Sequence, residues 1–381
     1  MPFLYINHSR IPTEKAHGIN IVSMCEFFYA KDGDFKLIVP NIGNNIKVSI
    51  VNYYGLKSEF PIKKLPTISA LRWESILGQL AFWVQFSSFY ISVFFYLLFK
   101  SRKDTIVYTR DHLASLLWFL GYKVVYECHS IPKKQKVFFS LTRLFYKTVV
   151  ISAGLQKYFL QQGFKQEKIF IAPDAVKLEK FDIDIPTGQA RQKLALPENK
   201  KIICYCGKFK TMNMDKGIHD ILKSLKYLSE DIIFLAVGGS DKDIEHYQNI
   251  VKDLKVDQRV IFIGHVAQGD LAYYQKAADI LLMPFPYHKH YAEFMSPIKM
   301  FEYMASQKPI VTSDLPTIRE VLNENNSLFC RSDNPEDLSK KIKYIFNNPE
   351  HALSIAKQAH KDVQKFSWSN RVQSILDFIN I

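Results

Sequence analysis

Short runs of branched and aromatic residues alternate with amphipathic stretches along most of the chain. FLYINHS (3–9), KLIVPN (36–41), DTIVYTR (104–110), KVVYECH (123–129), TVVISA (148–153) and KIFIAPDA (168–175) read as strands. Between them, GINIVSMCEFFYA, HLASLLWFLG and GLQKYFLQQG carry helical spacing. Short apolar strands separated by amphipathic helices predict a parallel sheet with helical crossovers. A second series begins at KIICYCGK (201–208) and continues through DIIFLAVGG, VIFIGHV, DILLMPFP, KPIVTSD and SLFC, again with helical patterns between. Residues 348–379 read as helices. The stretch 182–200, DIDIPTGQARQKLALPENK, is more polar and holds two prolines, which places a junction there. The pattern predicts an α/β protein of two doubly wound, Rossmann-like domains whose strand ends face a cleft. The expected bounds are 1–190 and 191–363, with a closing helix over 364–381.

One run does not fit simple alternation. Residues 75–99, SILGQLAFWVQFSSFYISVFFYLLF, carry no charge and are long enough to cross a bilayer. Gln79, Gln85 and several serines interrupt them. The run reads as helix packed in the first domain, as a membrane-surface helix, or as a span. Nearby, positions 128–166 hold seven Lys or Arg and no acid. There Lys136, Arg143 and Lys147 can share a helix face, with Phe138, Phe139 and Leu141 as apolar contacts. Anionic lipid attracts such a surface, and a solvated basic face has the same pattern.

Composition narrows the class. The 381 residues are 48% hydrophobic and 23% charged, which is globular. The formal charge of +13 suits an anionic partner: nucleic acid, membrane or phosphorylated substrate. No recognised nucleic-acid-reading helix or stacking sheet accompanies it, so no nucleic-acid partner is expected. The five cysteines lack metal-ligand spacing and read as buried thiols of a reducing compartment. The opening MPFLYINHSR lacks the pattern of a secretory leader, so a cytoplasmic location is expected, with peripheral membrane contact if the basic and apolar segments make it.

The candidate chemistry lies at strand ends. KIICYC runs into Gly207 and Lys208, and Lys216-Gly217 opens the next helix. The two lysines could converge on phosphate oxygens with helix-start amides, or belong to a solvent-facing loop. The order is not that of a Walker loop. Gly238 ends FLAVGG, where it allows close ligand approach or a tight turn. His129 follows VVYECH and could donate to a sugar or phosphate oxygen, or cap backbone. Glu127 lies two residues earlier on the same side of the strand. His288 and His290 in HKH have no third ligand and read as a surface loop rather than a metal site. In SPIKMFEYMAS (296–306), Pro297 can sit in the first helical turn, with Ile298, Phe301 and Ala305 inward. Lys299 and Glu302 are helical neighbours. Glu302 could bind vicinal hydroxyls, as on a ribose, or form an internal pair with Lys299.

MSPIKMFEYMASQKPIVTSDLPTIREVL resembles the donor-site region of family 4 retaining glycosyltransferases, which have the GT-B fold. The resemblance extends to PTEKAHGINIVSMCE, VVYECHSIP, ISAGLQKYFLQQG, IFIAPDAV, GKF with DKGI, and FSWSNRVQSIL, similar to the helix that crosses back to the first domain. It implies transfer of a sugar from a UDP- or GDP-linked donor to an acceptor hydroxyl, with retention and without a metal. A lipid-linked or surface glycan is the implied acceptor class, given the basic and aromatic first domain. Glu302 would then bind the ribose, and Lys208 and Lys216 the diphosphate. His129 would stand beside the transferred sugar. Gly18 would let the first loop approach donor or acceptor. Gly207, Gly217, Gly238, Ser296, Pro297, Ile298 and Lys299 would line the donor. Lys208 replaces a usual arginine and loses its bidentate fork. The first of the family's two glutamates is absent: its position is Phe294, and Glu293 is one residue early. A nucleotide-sugar epimerase of the same architecture and a nucleic-acid-binding protein are the rival readings.

Overall fold

The computed structural model describes residues 2–13, 16–31, 33–43, 46–100, 104–132, 135–211 and 214–380. Within these residues the chain divides into two units, one of 1–173 with 368–381 and the other of 174–367.

The first unit holds strands β1 (Phe3–Ile6), β2 (Phe35–Pro40), β3 (Ile62–Leu65), β4 (Ile106–Thr109), β5 (Lys123–Cys128), β6 (Lys147–Val150) and β7 (Ile169–Ile171). They form one parallel sheet in the order β3-β2-β1-β4-β5-β6-β7. Helices cover both faces, so β4 is buried at every position. Stacked and edge-on rings of Phe3, Tyr5, Phe28, Phe35 and Tyr108 fill one side of the core. The edge strand β3 escapes the sequence pattern because its IKKL exposes Lys63 and Lys64. Charge on an edge strand discourages pairing with another chain.

The uncharged run forms a helix at Gln79–Leu98 that is long and apolar enough to cross a membrane. Its Ala81, Phe86, Phe89, Val93 and Leu97 are nevertheless packed into the first unit. Its polar interruptions have a local use. Gln85 and Ser88 side chains accept hydrogen bonds from the backbone amides of Leu71 and Ile68, and Ser92 donates to the Pro66 carbonyl. Phe138 and Phe139 are also core residues, packing edge-on against Tyr126 and Phe159, rather than the apolar contacts of a basic surface. Lys147 is likewise drawn inward, its ammonium donating to the Phe378 carbonyl.

The second unit holds β8 (Lys201–Cys206), a small hairpin of β9 (Lys210–Thr211) and β10 (Met214–Asp215), then β11 (Ile232–Val237), β12 (Val260–Ile263), β13 (Ile280–Met283), β14 (Ile310–Ser313) and β15 (Leu328–Cys330). Apart from the hairpin they form a parallel sheet in the order β12-β11-β8-β13-β14-β15. The segment read as a junction belongs to this unit. Phe181, Ala190 and Leu196 enter its core, and buried Arg191 donates to the Ala277 carbonyl and to Asp279. The first unit therefore ends at Pro173 rather than near residue 190. Residues 364–367 also stay with the second unit, through the Val176 amide on the Phe366 carbonyl. The last helix, Trp368–Ile379, belongs to the first unit: Phe378 stacks on Phe170, and Arg371 donates to the carbonyls of Ala172 and Pro173.

Candidate functional site

In the second unit, the helix Ile298–Ala305 is buried from Lys299 to Ala305. Tyr303 ties it to the end of β8, its hydroxyl accepting from the Cys206 amide at 2.7 Å. That anchor sets Lys299 beside Gly207. A side-chain carbon on Gly207 would lie 3.1 Å from Lys299 Nζ. Among the described residues Lys299 Nζ is buried with no hydrogen-bond partner, and it sits 3.4 Å from the centre of the Tyr205 ring. Burial pushes the Lys299 ammonium well below the usual lysine range, and the charge of Lys216 adds to the shift. Lys216 is itself lowered to about 8, by burial and then by Lys208. Lys208 is exposed. Three cations thus gather at the carboxyl end of β8. Among the described residues no carboxylate pairs with the innermost; the Lys299–Glu302 hydrogen bond open in the sequence is not formed from Nζ.

The backbone here admits only glycine at key points. Gly217 has φ +95°, and a side-chain carbon there would lie 2.0 Å from the Pro284 carbonyl oxygen. Gly207 and Gly238 both have positive φ, and a side-chain carbon on Gly238 would meet the Gly207 carbonyl at 2.9 Å. Gly238 thus serves a close approach of backbones. The loop before Gly217 is fixed by Asp215, which accepts from the Gly217 amide at 2.6 Å and from the Tyr247 hydroxyl. Gly217 caps a helix of only seven residues, Ile218–Ser224.

The remaining expected donor-side residues fall as follows. Ser296 is buried, its hydroxyl accepting from the Asp174 amide at 2.8 Å. Pro297 is the N-cap of the helix rather than part of its first turn, and Ile298 is only half-buried. Glu302 is buried. Glu293 lies in a π-helical turn, 3.9 Å from Lys289, and Phe294 is buried. His290, read from sequence as part of a surface loop, is half-buried; burial lowers its pKa first, then the charges of His288 and Lys216. Among the described residues no three His, Cys, Asp or Glu side chains group as metal ligands.

In the first unit, His129 follows β5 with its ring nitrogen Nε2 2.5 Å from Glu127. Glu127 is fully buried. It pairs with Arg371 at 3.3 Å and Arg110 at 3.4 Å, and accepts from the Tyr108 hydroxyl. Burial opposes its charge, yet Arg371 and then Arg110 outweigh burial and hold the carboxyl well below the usual carboxylate range. Glu127 therefore orients His129 and stays ionised. Gly18 lies in the first turn of the helix Ala16–Lys31, where a side-chain carbon would strike Thr13 and the Tyr54 hydroxyl. Thr13 and His17 line a cavity of 860 Å³ at the carboxyl ends of β1 and β2, with His8, Arg10, Arg72 and Trp83 on its other walls. His8 is positioned by buried Asp111, which accepts from its amide at 2.9 Å and contacts its Nδ1 at 2.5 Å; Tyr90 donates to the same carboxylate. The sequence reading missed this group because Asp111 lies a hundred positions from His8 and only the sheet order brings β1 beside β4.

Residues 187–362 match the family model described as Glycosyl transferases group 1. An N,N'-diacetylbacillosaminyl-diphospho-undecaprenol alpha-1,3-N-acetylgalactosaminyltransferase of Campylobacter jejuni is 24% identical over 256 residues, 56% of this chain and 65% of that protein. The chain spans about half the length of the curated relatives it matches. Sucrose-phosphate synthase from Thermosynechococcus elongatus is similar in structure with a TM-score of 0.76 and 19% identity, over 100% of this chain and 98% of that one. HepE of Anabaena, solved with UDP-glucose, is similar at 0.74 and 16% identity, over 100% and 99%. The chain has the GT-B fold: two Rossmann-like units, with the last helix returned to the first.

Proposed function

We propose that this chain is a retaining glycosyltransferase that moves a sugar from a nucleotide-diphosphate donor to an acceptor hydroxyl. The observation that carries the reading is Lys299, whose buried Nζ has no hydrogen-bond partner among the described residues, gathered with Lys216 and Lys208 at the end of β8. A buried cation left unpaired is costly, and a diphosphate supplies the missing charge. As the bond to the anomeric carbon breaks, the leaving diphosphate gains charge, and these lysines stabilise it. Glu302 binds the ribose. The family match over 187–362 and the UDP-glucose complex of a protein of the same fold support a UDP- or GDP-linked donor and the donor role of the second unit.

His129, oriented by Glu127, stands at a strand end of the first unit beside the transferred sugar. The acceptor hydroxyl attacks from the face the diphosphate leaves, and a diphosphate oxygen takes its proton. The acceptor is a lipid-linked or surface glycan, a reading supported by the diphospho-undecaprenol named for the Campylobacter jejuni relative. No metal takes part in this scheme.

Titration calorimetry with UDP and GDP tests the donor site. One nucleotide is expected to bind the unaltered chain and to bind Lys299→Met, Lys216→Ala and Glu302→Gln more weakly. Equal binding by these folded variants would remove the assignment. Proton NMR of the newly formed anomer, compared with the donor's, tests retention.

A further inference from the structure

The helix Gln79–Leu98 has three differently used faces. One is packed in the core and a second, polar flank holds the backbone of residues 66–71. The third exposes Leu80, Trp83, Ile91, Phe94 and Phe95. Positions 80, 83, 87, 91, 94 and 95 follow helical spacing, so these side chains form one stripe. The stripe does not end with the helix. Ile91, Phe94 and Phe95 line an apolar groove of 290 Å³ with Leu113, Leu116 and Leu117 of the neighbouring segment His112–Leu120. That segment also exposes Trp118 and Phe119, the latter by 68%, and Phe99 is 85% exposed. Tyr122 joins the two pieces by donating to the Leu97 carbonyl at 2.8 Å.

The charge around this surface is mostly positive, with Glu74 and Asp104 exposed beyond its two ends. No Asp or Glu occurs from 75 to 103. Exposed Arg72 flanks one end, and exposed Lys100 and Lys123 the other. A contiguous apolar face rimmed by cations matches the interfacial region of an anionic bilayer, where acyl chains take the aromatic side chains and headgroups take the ammonium groups. A transmembrane span is excluded by the buried face, because Phe86, Phe89, Val93 and Leu97 would have to leave the core.

We infer that the exposed face of Gln79–Leu98, extended by Leu116, Trp118 and Phe119, is an in-plane docking surface for an anionic lipid bilayer. The helix also lines the 860 Å³ cavity through Phe82, Trp83, Gln85 and Phe86. Docking therefore sets the cavity mouth at the level of the headgroups, where the sugar of a lipid-linked acceptor lies. The inference does not depend on the transferase reading, since lipid binding requires no sugar.

The test is flotation of the full chain with vesicles of equimolar phosphatidylcholine and phosphatidylglycerol, against phosphatidylcholine alone. The chain is expected to float with the anionic vesicles and to lose that preference in Lys100→Glu with Lys123→Glu. Ile91→Asp with Phe95→Asp is expected to weaken binding about tenfold or more. A measurement on the unaltered chain guards against misfolding of the variants. Trp73, Trp83 and Trp118 are exposed, whereas Trp368 is buried. Brominated acyl chains should quench Trp83 and Trp118, read in single-tryptophan chains, and leave Trp368 unquenched. An unaltered chain that ignores both vesicle types overturns the inference. So does a sedimenting dimer that the aspartate pair dissolves, which assigns the face to a second copy.

Discussion

The two units meet the cost of burying charge in opposite ways. In the first, Glu127 is closed in by Arg371, Arg110, His129 and Tyr108, so each partner offsets the others' desolvation. In the second, Lys299 is also buried, its Nζ has no hydrogen-bond partner among the described residues, and the charge of Lys216 adds to the cost of its own. A closed network fixes geometry before any ligand arrives. An open one leaves free energy to be recovered when an anion binds. On the proposed reading, the contrast separates a residue cluster that positions a group from one that captures a ligand.

The largest expected effect lies in the closed network. Glu127→Gln leaves two guanidinium groups without their counter-charge and should destabilise the chain by about 3–5 kcal/mol, read from the urea midpoint. A loss within about 0.5 kcal/mol would mean that the network does not hold the first unit together. Next comes Lys299→Met, where the two readouts should move in opposite directions. Removing a buried amine that burial disfavours in its charged form should raise stability, by about 1–3 kcal/mol, while UDP or GDP affinity falls about ten- to a hundredfold. A fall in both would make Lys299 a structural residue and erase the contrast.

A pH series gives a smaller, graded effect. Lys216 titrates near 8 in the empty folded chain against an ordinary 10.5. The unfolded chain therefore holds more protons than the folded one between those values, so this group's contribution to stability increases as pH rises through that window. Nucleotide binding should show the opposite trend, weakening as pH rises through about 8, because the free site then loses its charge. Calorimetry in buffers of different ionisation heat should detect proton uptake on binding at pH 8; none would argue that no diphosphate reaches Lys216. The smallest change is expected from Lys208→Ala. Its exposed charge is screened, so affinity should fall only about two- to fivefold, and Lys208→Arg should restore it.

How much of this was legible in the sequence varies with the physics involved. Strands buried on both faces show as apolar runs, so β1, β2 and β8 were readable, whereas the edge strand β3, with exposed lysines, was not. The polar stretch 182–200 looked like a linker because its core residues, Ala190 and Leu196, are too sparse to make a hydrophobic pattern and the hydrogen bonds of buried Arg191 leave no mark in the sequence. Phe138 and Phe139 looked like surface contacts because local spacing does not say which face meets the sheet. His129 and the lysine-bearing turns stood out because strand ends and glycines mark them. Asp111 and Arg371, which build the polar clusters of the first unit, carry no local mark.

By itself, the sequence determined the α/β class, the two series of parallel strands and the positions of the glycine turns, since periodicity and backbone freedom are properties of neighbouring residues. Only the tertiary structure decided that Lys299 stands unpaired beside Gly207, that Arg371 from the last helix closes on Glu127, and that one face of Gln79–Leu98 stays exposed. Those outcomes depend on which distant segments share a sheet edge, and burial, pairing and electrostatic shifts exist only once those segments are packed.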